Sequence, residues 1–308
     1  MADSSPTFAG PSKGERVLRW HGFPDTAASF ARTGQALNAA GYAPLRPTLP
    51  GYSGNEGESP ARTDKRRYYG YEIAGTVPAM LDDLQTPPNE PVHLVGHDWG
   101  AIVAYATALR YPERVRSLTL VAVPGTREFL IGLLRYPRQW LRSWYMLYFQ
   151  LPWLARRRLT RDDFALVDRL WRDWADERVR RGLAKDADAS PELAAHREEL
   201  IEATKVAFRK PGVPEAAIQY YRNVFDFYTP TGFRSFRALL RPVRVPTLAI
   251  TGANDGCLDT RLFDLMSPKR FAGGLQRERI ANAGHWPHID QPEEFERVLI
   301  EFLRASVK

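Results

Sequence analysis

The stretch Val95-Gly96-His97-Asp98-Trp99-Gly100 decides the fold, because it joins an apolar run to an amphipathic one. Residues 91–95 predict a short buried strand, and residues 101–109 place apolar side chains at helical spacing. Two glycines thus flank a carboxylate in a strand–turn–helix, the arrangement of a nucleophile elbow, where small neighbours let a strained backbone lift one side chain over the sheet. The lifted residue here is Asp98 rather than serine. An aspartate can also simply cap the helix that follows, so the turn alone leaves both interpretations open.

Length and composition indicate an α/β core that carries one insertion. The chain has 308 residues, 44% of them hydrophobic, and its single cysteine, Cys257, excludes an intrachain disulfide and a Cys-based zinc site. Residues 1–13 lack the apolar core of a signal peptide. No stretch approaches the length of about 18 uncharged apolar residues that a membrane span needs. We therefore expect a soluble cytoplasmic protein without a membrane partner.

The net charge of +7 raises the question of a nucleic-acid partner. Residues 127–241 hold 22 Lys and Arg against 15 Asp and Glu, which accounts for the whole excess. Acids are interleaved with these bases at helical spacing, for example over residues 169–174, and this is typical of a solvated helix face. Since no nucleic-acid-binding motif accompanies the charge, we expect no such partner.

The first part of the chain alternates between strand and helix patterns, which predicts a mainly parallel sheet with helices on both faces. The predicted strands cover residues 16–20, 42–46, 91–95 and 115–123. The predicted helices cover residues 27–40, 69–84 and 101–109, with a bend at Pro78 in the second.

From residue 127 to residue 241 the pattern changes to long helices, with five of the eight tryptophans. This stretch predicts a helical cap inserted into the sheet domain, whose core would comprise residues 1–126 and 242–308. The α/β pattern then resumes with strands at 245–250 and 275–280 and a closing helix at 292–305.

Three chemically active side chains follow predicted strands, and functional groups of open α/β sheets gather at that edge. They are Asp98, Asp255 and His285, in the chain order nucleophile, acid, base that the elbow architecture requires. Each alone can be an ordinary turn or loop residue. Asp259, close to Asp255, and Glu128, just after the preceding strand, are alternatives for the acid. His288 lies close to His285. The joint pattern predicts a catalytic triad.

These motifs resemble those of the epoxide hydrolase group of α/β-hydrolases, over nearly the whole chain. The matching stretches are His21-Gly22-Phe23-Pro24, Gly96-His97-Asp98-Trp99-Gly100, Gly252-Ala253-Asn254-Asp255 and Gly284-His285-Trp286-Pro287. The Asp-Trp pair is the most specific, because esterases and lipases place serine there. The resemblance implies an α/β-hydrolase fold, with a mostly parallel central sheet flanked by helices and an inserted helical cap. Family members usually carry further strands before the His-Gly stretch, where only 15 residues precede Arg16 here.

Two stretches of the cap are also similar to the family, at residues 147–150 and 220–223. In the family a tyrosine from each stretch points into the site, which implies Tyr148 and Tyr221 here. Tyr145 and Tyr220 are adjacent alternatives, and either can be ordinary packing.

The resemblance implies a displacement at a saturated epoxide carbon. A carboxylate is already ionised at neutral pH and needs no base to attack. Asp98 would form a covalent ester, while Tyr148 and Tyr221 polarise the departing oxygen and supply a proton.

Hydrolysis of that ester would regenerate the enzyme. His285, oriented by Asp255, would take a proton from water, and the backbone N–H groups of Phe23 and Trp99 would hold the oxyanion. The side chains of Phe23 and Trp99 would also contact the substrate, a small apolar epoxide. No metal or organic cofactor is needed.

Two other functions are compatible with the sequence. Haloalkane dehalogenases use the same triad, but a halide needs N–H donors such as Trp99 and a cap tryptophan. One dehalogenase type has asparagine where Phe23 stands. A non-catalytic ligand receptor on the same fold is the other alternative. The sequence leaves monomer and homodimer open.

Overall fold

A computed structural model of the protein describes residues 14–54, 65–177 and 191–306. Its six strands form one parallel sheet in the order β2-β1-β3-β4-β5-β6. The strands are β1 Arg16–Trp20, β2 Ala43–Leu45, β3 Val92–His97, β4 Val115–Val121, β5 Thr247–Gly252 and β6 Leu275–Ile280. The prediction of a mainly parallel sheet is therefore confirmed.

Helices cover both faces of this sheet and make up most of the described residues between β4 and β5. In chain order they are α1 Ala31–Ala39, α2 Gly70–Ala74, α3 Val77–Asp83, α4 Trp99–Arg110, α5 Thr126–Arg135, α6 Arg138–Arg142, α7 Trp144–Tyr148, α8 Pro152–Thr160, α9 Ala165–Trp174, α10 Pro191–Phe208, α11 Val213–Val224, α12 Pro230–Leu239, α13 Pro287–Asp290 and α14 Pro292–Ala305. Across the described ranges, no helix combines the length and the apolar character that crossing a bilayer requires.

The predicted helix over residues 69–84 is two helices, α2 and α3. The chain breaks at Gly75 and Thr76, and Pro78 lies in the first turn of α3. A proline is tolerated there because the first-turn N–H groups have no intrahelical acceptor. Pro78 thus belongs to the start of a helix and does not bend a longer one.

Each face of the sheet has its own apolar core. On one face Val95 and Ile250 pack with Leu299 of α14. On the other, Leu18 and Leu94 belong to a larger cluster that extends into the helices between β4 and β5. Successive residues of one strand contribute to opposite faces, as expected for parallel strands that are buried on both sides.

Helix α9 attaches the inserted helices to the loops of the sheet edge. The Trp171 indole stacks on Trp286 at a centroid distance of 4.1 Å and 7° between planes, and its Nε1–H donates to the Pro24 carbonyl at 2.7 Å. The Trp174 carbonyl accepts N–H groups from Gly256 at 3.3 Å and His285 at 2.9 Å. The boundaries of the cap at 127 and 241 stay a prediction.

We expect Trp171→Ala to lower the free energy of unfolding by about 3–5 kcal/mol, because it removes a buried stack and its indole hydrogen bond. Urea denaturation followed by circular dichroism measures this change. Trp153→Ala is the matched control, since that indole is largely exposed, and its effect is expected to stay within about 0.5 kcal/mol. Equal effects of the two substitutions would contradict the anchoring role of Trp171.

Candidate active site

Asp98 occupies a strained turn between β3 and α4, with φ 52° and ψ −115°. Few non-glycine residues adopt positive φ, and such strain persists only where the surroundings enforce it. A Cβ at Gly96 would overlap the Gly100 carbonyl, and a Cβ at Gly100 would overlap the Trp20 carbonyl. The two glycines therefore let β3, α4 and β1 approach closely enough to form the turn.

The Asp98 side chain does not cap α4. Its Oδ1 accepts the backbone N–H of Phe23 at 2.8 Å, and its Oδ2 lies 3.6 Å from Nε2 of His285. The helix-cap interpretation of this aspartate is therefore wrong for its side chain.

The structure brings Asp255 and His285 to the same place. His285 Nδ1 lies 3.0 Å from Asp255 Oδ2, and Asp255 Oδ1 accepts the backbone N–H groups of Cys257 at 2.7 Å and Leu258 at 3.0 Å. All of these residues are buried. The result is a connected series Asp98–His285–Asp255 in which the last carboxylate is fixed by the turn after β5.

The alternative acids and base have other partners. Asp259 pairs with Arg261 at 2.7 Å, and Glu128 faces the guanidinium groups of Arg127 and Arg270 at 3.6 and 3.8 Å. His288 stacks on Phe30 at a centroid distance of 4.5 Å. None of the three side chains replaces Asp255 or His285 in the series.

A cavity of about 130 Å³ lies above Asp98, and apolar surface dominates its wall. Trp99, Tyr145, Tyr221 and Cys257 are among the residues that line it. An apolar cavity with a few polar groups is typical of a site for a small organic molecule.

Tyr221 lies where the sequence predicts a cap tyrosine. It is buried, its ring centroid is 5.1 Å from that of Trp99 and 5.2 Å from that of Phe23, and it lines the cavity. Its hydroxyl has no hydrogen-bond partner in the part of the chain that the structure describes. This hydroxyl is therefore available to a bound molecule. The neighbouring Tyr220 instead donates to the Pro50 carbonyl at 2.9 Å.

Tyr148 does not point into the cavity, so its predicted placement is wrong. The residue is half-buried, and its hydroxyl donates to the Leu154 carbonyl at 3.3 Å. Tyr145 lies one turn earlier on α7, is buried, lines the cavity, and has its ring 5.3 Å from that of Tyr221. Residues four apart share a helix face, so the fully buried Phe149 marks the face of Tyr145 rather than that of Tyr148. The four-residue spacing between Tyr145 and Phe149 was the feature of the sequence that could have identified Tyr145 as the cavity tyrosine of α7.

Two opposing effects set the charge of His285. Burial lowers its pKa, but Asp255 and Asp98 outweigh burial and raise the pKa to about 10. His285 is therefore an imidazolium at neutral pH. Burial also raises the pKa of Tyr145 and of Tyr221 well above the usual value, so both phenols stay protonated.

A second layer of titratable groups, which the sequence motifs did not predict, lies behind His285. Burial raises the pKa of Asp25 to about 7, and its Oδ2 accepts the Ser29 hydroxyl at 2.6 Å and lies 4.0 Å from His97 Nδ1. His97 Nε2 contacts the His285 carbonyl at 2.9 Å. The sequence offered one indication of each residue: Asp25 directly follows the His-Gly stretch, and His97 directly precedes Asp98.

Among the residues that the structure describes, two buried groups have potential metal-ligand atoms within 4.8 Å of one another. The first consists of Asp25, His97 and His288, and the second of Asp255, Cys257 and His285. Using the second group to hold a metal would break the contact between Asp255 and His285, so it does not fit a resident cofactor.

We expect Asp98→Asn to lower the pKa of His285 below about 10, because the substitution removes one of the two charges that raise it. Titration of the His285 ring resonances by NMR measures the shift. Asp259→Asn is the control and should leave the pKa unchanged. A His285 pKa that is equal in Asp98→Asn and in the unsubstituted protein would contradict the charge coupling.

Comparison with known proteins extends these observations. A family model described as the alpha/beta hydrolase fold matches residues 15–292. Human epoxide hydrolase 4 is 26% identical over 313 residues, covering 100% of this chain and 78% of the relative, and Xenopus tropicalis epoxide hydrolase 3 is 27% identical with 99% and 77% covered. The solved structure of an epoxide hydrolase from an endophytic Streptomyces superposes with a TM-score of 0.73 at 23% identity, covering 95% of this chain and 90% of that one. The resemblance to epoxide hydrolases is confirmed.

Proposed function

Because the chain belongs to the α/β-hydrolase fold family, we propose that it hydrolyses a small apolar epoxide to a vicinal diol. The observation that carries the proposal is a carboxylate at the elbow that shares an apolar cavity with two buried tyrosines. The similarity to curated epoxide hydrolases over the whole chain supports it.

In the first step Asp98 Oδ2 attacks an epoxide carbon, forming a C–O bond to the enzyme as the ring C–O bond breaks. Asp98 Oδ1 is held by the Phe23 N–H, which leaves Oδ2 as the attacking oxygen. The departing oxygen takes a proton from Tyr145 or Tyr221. Both phenols are protonated in the buried site. The Tyr221 hydroxyl forms no hydrogen bond with any residue that the structure describes.

Esterification prepares the second step by removing the charge of Asp98. One cause of the raised His285 pKa is then lost, so the imidazolium releases its proton. This proton goes to the tyrosinate and restores the phenol that protonated the departing oxygen. Neutral His285 takes a proton from water, and the hydroxide adds to the Asp98 carbonyl carbon. The N–H groups of Phe23 and Trp99 stabilise the resulting oxyanion. Collapse expels the diol and restores the carboxylate and the imidazolium.

Three of the five cap tryptophans are not placed to serve a halide leaving group in the cavity. The indole N–H of Trp140 donates to the Leu133 carbonyl and that of Trp171 to the Pro24 carbonyl, while Trp153 is exposed. A departing alkoxide needs acidic O–H groups instead, and tyrosines that include Tyr145 and Tyr221 line the cavity. The geometry therefore favours the epoxide over the haloalkane.

We expect turnover of styrene oxide and no comparable halide release from 1-bromobutane.

His285→Gln should still form the ester but not hydrolyse it, so intact-protein mass spectrometry should show an adduct of the mass of the epoxide. In single turnover in ¹⁸O water, label should enter Asp98. Asp98→Asn is the control and should form no adduct. Release of bromide from 1-bromobutane that is faster than turnover of styrene oxide would favour a haloalkane dehalogenase. Binding of both compounds without turnover of either would favour a non-catalytic ligand receptor.

We expect Tyr145→Phe and Tyr221→Phe each to lower the rate of ester formation at least about tenfold, and the double variant about 10²–10⁴-fold, because each removes a donor to the epoxide oxygen. Stopped-flow fluorescence in single turnover measures this rate. Tyr148→Phe is the matched control from the same helix and should react at the unsubstituted rate. A large effect of Tyr148→Phe with none of Tyr145→Phe would reverse the assignment.

A further inference from the structure

The net charge of the protein is concentrated in one stretch of the cap. Residues 129–161 contain seven arginines and no acidic residue, whereas the rest of the chain holds 36 basic and 36 acidic residues. The whole charge of +7 therefore belongs to these 33 residues. The interleaving of acids and bases typical of a solvated face occurs elsewhere in the cap and not here.

The same stretch exposes an unusual amount of apolar surface. Of the eleven large hydrophobic residues that are exposed within the described ranges, seven lie between Leu134 and Leu154. Leu134 is 85% exposed, Leu141 76% and Trp153 71%. We call the exposed arginine, leucine and tryptophan side chains of residues 134–158 the arginine–tryptophan face. Large exposed apolar patches mark interaction surfaces.

The helices that carry this face are held together locally. The Trp140 indole donates to the Leu133 carbonyl and joins α6 to α5, and the Tyr148 hydroxyl donates to the Leu154 carbonyl and joins α7 to α8. The Arg157 guanidinium lies 5.8 Å from the centre of the Trp153 ring. Cations and apolar side chains are therefore interspersed on short neighbouring helices.

Several of the cations have no carboxylate partner. Arg156 pairs with Glu215 and Arg161 with Asp162. Arg135, Arg138 and Arg157 are exposed and form no ion pair with any residue that the structure covers. Their charge is available to an external anionic surface.

We propose that the arginine–tryptophan face binds the surface of an anionic lipid bilayer. Interfacial segments combine Lys or Arg with Trp and Leu, so that apolar side chains enter the headgroup region while cations contact anionic lipids. A second copy of the chain is disfavoured, because a symmetric contact would bring the exposed arginines of one face, Arg135, Arg138, Arg156 and Arg157, against those of the other. Binding to a bilayer surface needs no membrane-spanning helix. The proposal therefore replaces the expectation that the protein has no membrane partner. The inference does not depend on the proposed reaction.

Sedimentation of the full chain with sucrose-loaded vesicles tests the proposal. We expect binding to vesicles of equal parts phosphatidylcholine and phosphatidylglycerol, weakening with added NaCl, and little binding to phosphatidylcholine alone. Arg138→Gln with Arg157→Gln should lower the association constant roughly fivefold per arginine. Leu141→Ser with Trp153→Ser should also lower it. The matched controls, Arg244→Gln with Arg304→Gln and Val206→Ser with Tyr228→Ser, change exposed residues elsewhere and should bind as the unsubstituted protein does.

Circular dichroism and hydrolysis of a water-soluble epoxide show whether each variant is folded, so a loss of vesicle binding can be assigned to the face. Three results would overturn the proposal: no binding to the anionic vesicles, equal losses in the control variants, or concentration-dependent dimers in sedimentation velocity that the Leu141→Ser and Trp153→Ser substitutions abolish. Binding to a labelled oligonucleotide that depends on the arginines alone would likewise overturn it, because the apolar part of the face would then have no role.

Discussion

The strained backbone of Asp98 is the constraint on which the site depends. Its N–H donates to the Val121 carbonyl at 3.1 Å, its carbonyl accepts the Ala101 N–H at 3.0 Å, and its Oδ1 accepts the Phe23 N–H at 2.8 Å. These partners belong to β4, α4 and the loop after β1, so three elements hold one residue. Strain at a non-glycine positive φ costs about 1–3 kcal/mol, and the surrounding hydrogen bonds and close packing offset it. The parallel sheet thus determines where the carboxylate points.

The end of α9 plays the corresponding role for the acid and the base. The Trp174 carbonyl accepts N–H groups from Gly256, next to Asp255, and from His285 itself. The Asp176 carboxylate accepts the Asn254 side-chain amide at 2.7 Å. A segment of the insertion therefore lies between the two loops whose side chains must meet. The inserted helices do more than cover the cavity, because part of their backbone sets the relative position of those loops.

The positions of site residues could be predicted from the sequence where the parallel sheet determines them. They could not be predicted where they depend on which side of a helix faces the cavity. Asp98, Asp255 and His285 could be brought together in advance because parallel strands place their carboxyl ends at one edge. Tyr148 could not be told from Tyr145 by a short match, since three residues fall short of a full helical turn and leave the two side chains about 60° apart around the helix axis. The break between α2 and α3 was missed for a related reason. Pro78 suits the first turn of a helix as well as a bend, and only tertiary packing chooses.

The buried charges of the site are better explained by chemistry than by stability. An imidazolium between two carboxylates is costly to bury, and well-packed apolar residues often match or exceed the stability of such groups. What the arrangement provides is a histidine whose affinity for a proton depends on the charge of Asp98. The ester of the proposed mechanism would remove that charge at Asp98 without moving any element of the fold. The same burial that keeps Tyr145 and Tyr221 protonated makes the field of each carboxylate strong. In the proposed mechanism a single covalent change would therefore be enough to convert the histidine from a buried cation into a base.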